Sequence, residues 1–127
     1  MQPKIWVQPI PMAYKRGGVY LANFKPSKGS EAGKIRLCMV LQSDLLNEAG
    51  HPSTTILPMT TRLVADAAPL RVRIESREGL ESDSDVMTDQ VRTIDKRRFC
   101  SDMLTAASPR EMAQIETFLQ IVLDIDS

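Results

Sequence analysis

Apolar positions along this chain fall into several short runs and one longer periodic stretch. Gly18–Phe24 (GVYLANF) follows a Gly-Gly pair and starts with β-branched and aromatic residues, which predicts a strand. Ile35–Gln42 (IRLCMVLQ) is apolar at nearly every position. That suits a central strand covered on both faces, with a buried helix left open by periodicity alone. The flanking Gly29, Gly33 and NEAGHPS favour the strand. Thr54–Thr61 (TTILPMTT) is β-branched and predicts a third strand, with Pro58 expected at a bulge or an edge because it has no N–H to donate. Leu70–Glu75 (LRVRIE) alternates, placing Leu70, Val72 and Ile74 inward and Arg71, Arg73 and Glu75 outward. Ser84–Asp95 holds one or two more short strands, or a strand and a turn.

The period changes near the C-terminus. Ser108 is a candidate N-cap, Pro109 takes the first helical position and Glu111 completes a capping box. Met112, Ile115, Leu119 and Val122 then recur at helical spacing, with Phe118 and Ile125 beside them, which predicts an amphipathic helix over 108–125. Short strands followed by one helix predict a mainly β, α+β fold: a small twisted antiparallel sheet or partly open barrel with the helix packed on it.

The chain has 127 residues, enough for one domain, and 43% of them are apolar and 25% charged. It is read as a single domain over 1–127, with 1–15 as an N-terminal extension. No run is long and apolar enough to span a membrane, and Pro3, Pro9 and Pro11 break the N-terminus, so a cytoplasmic location is expected. Cys38 and Cys100 have no metal or redox spacing; Cys38, in an apolar run, is expected to be buried and no disulfide is expected. Sixteen basic residues balance sixteen acidic ones, so any attraction for polyanions must come from distribution, not from the total. Bases collect at Lys25–Lys28–Lys34–Arg36 and at Arg92–Lys96–Arg97–Arg98.

Walker A, G-x-G-x-x-G, H-E-x-x-H and G-x-S-x-G motifs are all absent. With His51 the only histidine, in a loop, neither a histidine pair nor a multi-histidine metal site can form within one chain. What remains is arginine, threonine and carboxylate chemistry. Arg36 stands at the mouth of an apolar run. It is open to three readings: an ion pair with Glu31 or Glu48, a solvated loop end, or an anion clamp. Thr60 and Thr61 end a strand and are either strand formers or hydroxyls for an anionic oxygen.

Four blocks, RGGVYLANFKPSKGSEAGKIR, MVLQSD, LPMTT and DQVRTIDKRR, stand in an order that resembles the MazF/PemK (Kid) family of toxins of toxin–antitoxin systems. They cover the middle two-thirds of the chain. The resemblance implies a CcdB-like or SH3-like barrel with a C-terminal helix. It also implies a sequence-specific, metal-independent endoribonuclease acting on single-stranded mRNA through the RNA's own 2′-OH. It implies Arg36 and Thr60 as the catalytic pair, Glu31 in a supporting role and Gln90 near the RNA. Lys25, Lys28, Ser30, Lys34, Thr61 and Arg92 complete the expected RNA-binding set, with no metal or cofactor. The implied partners are single-stranded RNA, an acidic MazE-like antitoxin and a second copy of the chain, with no membrane.

One departure is Leu37, where the family usually has proline after the arginine. It keeps open a second function, a non-catalytic protein- or RNA-binding module of the same fold, such as a gyrase poison. The gyrase-poison branch carries a C-terminal tryptophan; here the only tryptophan is Trp6. Specificity is expected to lie in the loops Lys25–Lys34 and Leu45–Pro52.

Overall fold

The computed structural model describes residues 14–25 and 34–125. Trp6 and the extension before Tyr14 lie outside the described residues. The elements run β1 (Gly18–Lys25), β2 (Lys34–Val40), α1 (Asp44–Glu48), β3 (Ser53–Thr60), β4 (Arg71–Ile74), β5 (Ser84–Met87), β6 (Arg92–Asp95), β7 (Thr105–Ala106) and α2 (Pro109–Leu123). The strands form one sheet in the order β4-β5-β3-β2-β1-β7, with β6 also paired to β3, and every pairing between them is antiparallel. No helix is long and apolar enough to cross a membrane among the described residues.

The sheet curls, so each of its faces buries an apolar cluster. Val19, Met39, Leu57, Val72, Ile74 and Val86 meet Ile115 and Leu119 of α2 on one side. Tyr20, Ala22, Cys38, Val40, Ile56 and Ile94 fill the other. That two-sided burial explains the apolar run from Leu37 to Val40, where successive residues point to opposite faces and both faces are covered; at the start of the run Ile35 departs from the expected two-sided cover and is 57% exposed. Cys38 is fully buried, and burial first, with Cys100 second, pushes its thiol up to about 12.

Pro58 departs from expectation. It lies inside the central strand β3, fully covered and paired with Cys38, and not at a sheet edge. Thr55 O accepts from Leu41 N at 2.9 Å, so odd positions of β3 face β2 and even positions face the other side. On that side the partner changes from β6, whose last pairing is Ile56, to β5, whose first is Met59. The missing N–H of Pro58 therefore falls in the gap between two partners. Leu70 is a second correction. It is 47% exposed, outside β4, while Val72 and Ile74 are buried as the alternation predicts. Ser84–Asp95 resolves into two strands separated by a turn.

Sequence periodicity does not reveal α1, five residues long and capped by Ser43 Oγ accepting from Leu45 N. Its buried Asn47 takes hydrogen bonds from Gln42 Nε2 and Thr54 Oγ1 and donates to Gln42 O and Asp44 Oδ1. Arg16 N donates to the same Asp44 oxygen. The MVLQSD block is thus a structural knot that fixes the end of β2.

The capping box of α2 is present in both directions: Glu111 N donates to Ser108 Oγ and Ser108 N to Glu111 Oε1. Met112, Phe118, Ile115 and Leu119 pack on the sheet, but Ile125 lies past the helix end and is 56% exposed. Arg77 adds a two-point clamp, with Nη1 donating to Glu111 Oε1 at 2.8 Å and Nη2 to Oε2. These bonds, Arg77's foremost, hold the Glu111 carboxyl below its ordinary value of 4.5. A carboxylate whose folded value is depressed contributes stability that is present above its unfolded value and lost as pH falls through the folded one. Glu111→Gln should therefore lower stability by about 1–2 kcal/mol at neutral pH. The deficit should vanish as acid protonates the wild-type carboxyl below pH 4.5, as urea titrations at both pH values would record. A deficit that persists unchanged in acid contradicts this.

Candidate active site

A cleft of about 700 Å³ opens where β1, β2, β3 and the β5–β6 turn meet. Seven of the ten expected site residues line it. Arg36 and Lys34 come from β2, Lys25 from the end of β1, Thr60 from the end of β3 and Thr61 from just after it. Gln90 comes from the turn after β5 and Arg92 from the start of β6. The other three, Lys28, Ser30 and Glu31, lie outside the described residues.

The register explains why Arg36 and Thr60 meet. In the β2·β3 ladder Cys38 pairs with Pro58 and Val40 with Ile56. Carried two positions beyond its last pairing, that register sets Arg36 across from Thr60, on one face of the sheet. The ladder stops at Cys38 and Pro58, and the two strands open into the cleft there.

Arg36 is exposed and has no ion pair or side-chain hydrogen bond among the described residues. The ion pair with Glu48 that its sequence position allowed is not formed. Its backbone is nonetheless held, paired with Ala22 of β1. Leu37 takes a regular ladder position opposite Leu21 and packs against the α2-side cluster. The fork of Arg36 is therefore free of partners among the described residues while its backbone is anchored in the β1·β2 ladder.

Thr60 Oγ1 accepts a hydrogen bond from Arg62 N at 3.1 Å. With its oxygen engaged as acceptor, the hydroxyl has its one proton left to donate. A guanidinium and a hydroxyl donor that line the same cleft suit the oxygens of a phosphate.

Sequence reasoning missed several lining residues. Phe24 lies under the Arg92 guanidinium, 4.8 Å from carbon to ring centre. Arg62 and Arg71 extend the basic lining, and Met87 adds an apolar wall. With Lys25, Lys34, Arg36 and Arg92 this makes six basic side chains, with no acidic one among the described lining residues. A chain with no net charge thus concentrates positive charge in one place. The Phe24–Arg92 pair was readable only from the antiparallel pairing that brings β6 back beside β3.

The second basic cluster of the sequence disperses. Only Arg92 reaches the cleft. Arg97 pairs with Asp95 at 3.0 Å, Lys96 Nζ donates to Asn47 O and Arg98 Nη1 to Asn23 O. Leu45–Pro52, expected to shape specificity, forms α1 and its following turn and is not among the lining residues, whereas Thr61, Arg62 and Arg71 are. Among the described residues no three His, Cys, Asp or Glu side chains are grouped to hold a metal ion.

Comparison with known proteins agrees with this architecture. Endoribonuclease EndoA of Bacillus subtilis (strain 168) is 36% identical over 113 residues, 88% of this chain and 96% of that protein. The MazE–MazF structure from Deinococcus radiodurans (Form-II) superposes with a TM-score of 0.71 at 25% identity, over 94% of this chain and 100% of the other. Mycobacterium tuberculosis toxin MazF-mt6 superposes with a TM-score of 0.70 at 17% identity, over 87% and 99%, and speaks to the fold alone. The model of the PemK-like, MazF-like toxins of type II toxin–antitoxin systems matches residues 15–123, and the chain belongs to that family.

Proposed function

We propose that this chain is an endoribonuclease toxin that cuts single-stranded RNA at a short sequence without a metal ion. The observation that carries the reading is the Arg36–Thr60 pair: a guanidinium without a partner among the described residues and a hydroxyl with its proton left to donate, both lining a cleft rich in basic side chains. The similarity to a named endoribonuclease over nearly its full length supports it.

RNA brings its own nucleophile. The 2′-oxygen attacks the adjacent phosphorus as its proton leaves, the bond from phosphorus to the 5′-oxygen breaks, and that oxygen takes up a proton. The products are a 2′,3′-cyclic phosphate and a 5′-hydroxyl. Charge builds on the non-bridging oxygens, and Arg36 and Thr60 stabilise it there with fixed donors. Glu31 is the candidate acceptor of the 2′-OH proton, with participation of Arg36 itself as the rival. Arg36 stays protonated in water, so it serves the leaving oxygen as a hydrogen-bond donor and not as a source of free protons.

Phe24 supports the Arg92 guanidinium stacked over it, and that plane offers a stacking surface to an unpaired base. Lys25, Lys34, Thr61, Arg62 and Gln90 contact the strand on either side. Arg92→Ala should raise KM several-fold and reduce the slope of log KM against log salt by about one, because one phosphate-facing cation is lost. An unchanged salt slope would assign Arg92 to packing on Phe24 alone.

An acidic antitoxin segment fits the same six bases, and the Deinococcus radiodurans relative is found with a MazE partner. The apolar side chains left exposed on α1 and α2, Leu45 and Ile121 among them, support a homodimer, and the reading includes a cytoplasmic location. The test is to incubate the purified protein with a long single-stranded RNA in excess EDTA. Cuts recurring at one short sequence are expected; intact RNA at high enzyme excess would refute the function.

A further inference from the structure

Asp85 is the most buried carboxylate of the described residues, at 1% exposure, and the proposed chemistry does not use it. It sits on β5 paired with Thr60 in the β3·β5 ladder. Its Oδ1 accepts from Arg73 Nε at 2.7 Å, and its Oδ2 from Arg71 Nη1 at 3.3 Å and from Val64 N at 3.2 Å. The two guanidines then reach back to the same loop. Arg71 Nη1 also donates to Arg62 O at 2.9 Å, and Arg73 Nη2 to Val64 O at 3.4 Å. One carboxylate thus ties the segment after β3 at Arg62 O, Val64 N and Val64 O. Arg62 N is the group that donates to Thr60 Oγ1. A buried ion cluster of this kind is not needed for stability as such, since apolar residues of similar volume often serve as well. What it does supply here is direction: three of its bonds end on the loop whose backbone orients the Thr60 hydroxyl.

We propose that Asp85, with Arg71 and Arg73, is a positioning unit for Thr60: it holds the Thr61–Val64 segment so that Arg62 N fixes the Thr60 hydroxyl toward the cleft. The burial that would favour a neutral carboxyl is outweighed by the bonds from Arg73, Val64 N and Arg71, and the carboxyl is held below its ordinary value, so the unit stays charged at neutral pH. The inference rests on the role proposed for Thr60, and the experiment separates the two.

Asp85→Asn keeps the shape but turns one oxygen into an N–H facing other donors. Full-length wild type, Asp85→Asn, Thr60→Ala and the double variant are compared on a short single-stranded RNA cut by the wild type, together with amide hydrogen exchange. Asp85→Asn should lower kcat by about tenfold or more with KM changed less than about twofold, since only the oriented donor is lost. In the Thr60→Ala background the same change should lower kcat by less than about twofold, because no hydroxyl remains to orient. The amides of Arg62 and Val64 should exchange faster in Asp85→Asn, while those of Met39 and Val40 should not. Losses that multiply in the double variant, or unchanged exchange at Arg62 and Val64, overturn the proposal. Full activity in Thr60→Ala refutes the catalytic role of Thr60 instead, and the exchange data still decide whether Asp85 holds the loop. Should Asp85→Asn fail to fold, Arg73→Gln, at a side chain 42% exposed, replaces it with the same expected and opposing results.

Discussion

Replacing Arg36 with alanine should lower single-turnover cleavage by about 1000-fold or more and leave the fold intact. Fixed donors to a charging phosphoryl oxygen are typically worth 10²–10³ in rate, and arginine at a phosphoryl transition state roughly 10³–10⁵. Arg36 is exposed and makes no side-chain bond among the described residues, so its loss should move stability by less than about 0.5 kcal/mol. Arg36→Lys keeps a charge but not the planar fork and should fall between alanine and wild type. Rates come from quenched time courses with enzyme in excess, and stability from a thermal melt of the same samples. A loss of less than about tenfold in Arg36→Ala would remove this residue from the chemistry.

The largest effect on stability should come from Gly79→Ala. Gly79 has φ +88, and a Cβ there would lie 1.8 Å from Leu104 O and 2.8 Å from Leu104 C. Both are backbone atoms, and Leu104 N is itself bonded to Val19 O at 2.8 Å, so the obstacle cannot swing aside as a side chain tip would. The turn must shift instead. It carries Leu80, which is 4% exposed in the cluster under α2, and Arg77, which clamps Glu111. A left-handed alanine costs about 1–2 kcal/mol, and withdrawing part of a buried leucine adds about 2. A total near 3 kcal/mol is a large fraction of the ~5–15 kcal/mol available to a domain. With a urea slope of roughly 1–3 kcal/mol/M, the midpoint should fall by about 2 M. A fall below about 0.3 M would mean that the turn yields easily.

The contrast between Arg36 and Gly79 shows what the chain reveals before it is folded. Gly79 looks like any loop glycine, since its role depends on Leu104 O, 25 residues away in sequence. Helix α2 was legible because all its signals are local: Ser108, Pro109, Glu111 and the apolar recurrence behind them. The strand cores were legible for the same reason, as Val72 and Ile74 illustrate, whereas Leu70 belonged to the alternation but not to the strand. Pro58 defeated a sound local rule because the interruption that tolerates it is made by two other strands. The cleft was half legible. Arg36 and Thr60 stood out as possible anion-binding groups, the family resemblance added their catalytic roles and Gln90, and the register of β2 on β3 supplies the physical reason for the pair. Phe24, Arg62 and the Asp85–Arg71–Arg73 cluster were hidden. Arg71 and Arg73 alternate outward like ordinary solvated charges, and only the pairing of β4 with β5 brings a buried carboxylate beneath them.

The central claim, that the Arg36–Thr60 pair lets RNA cut itself, is tested most directly at the ends of the product. A short single-stranded RNA carrying the preferred site is cleaved in EDTA and the fragments are weighed by mass spectrometry, beside a copy with one 2′-deoxy sugar at the cut. A 2′,3′-cyclic phosphate on the upstream fragment, a 5′-hydroxyl on the downstream one and no cut in the deoxy copy are predicted. A 5′-phosphate product, or cleavage of the deoxy copy at the same bond, would contradict the account.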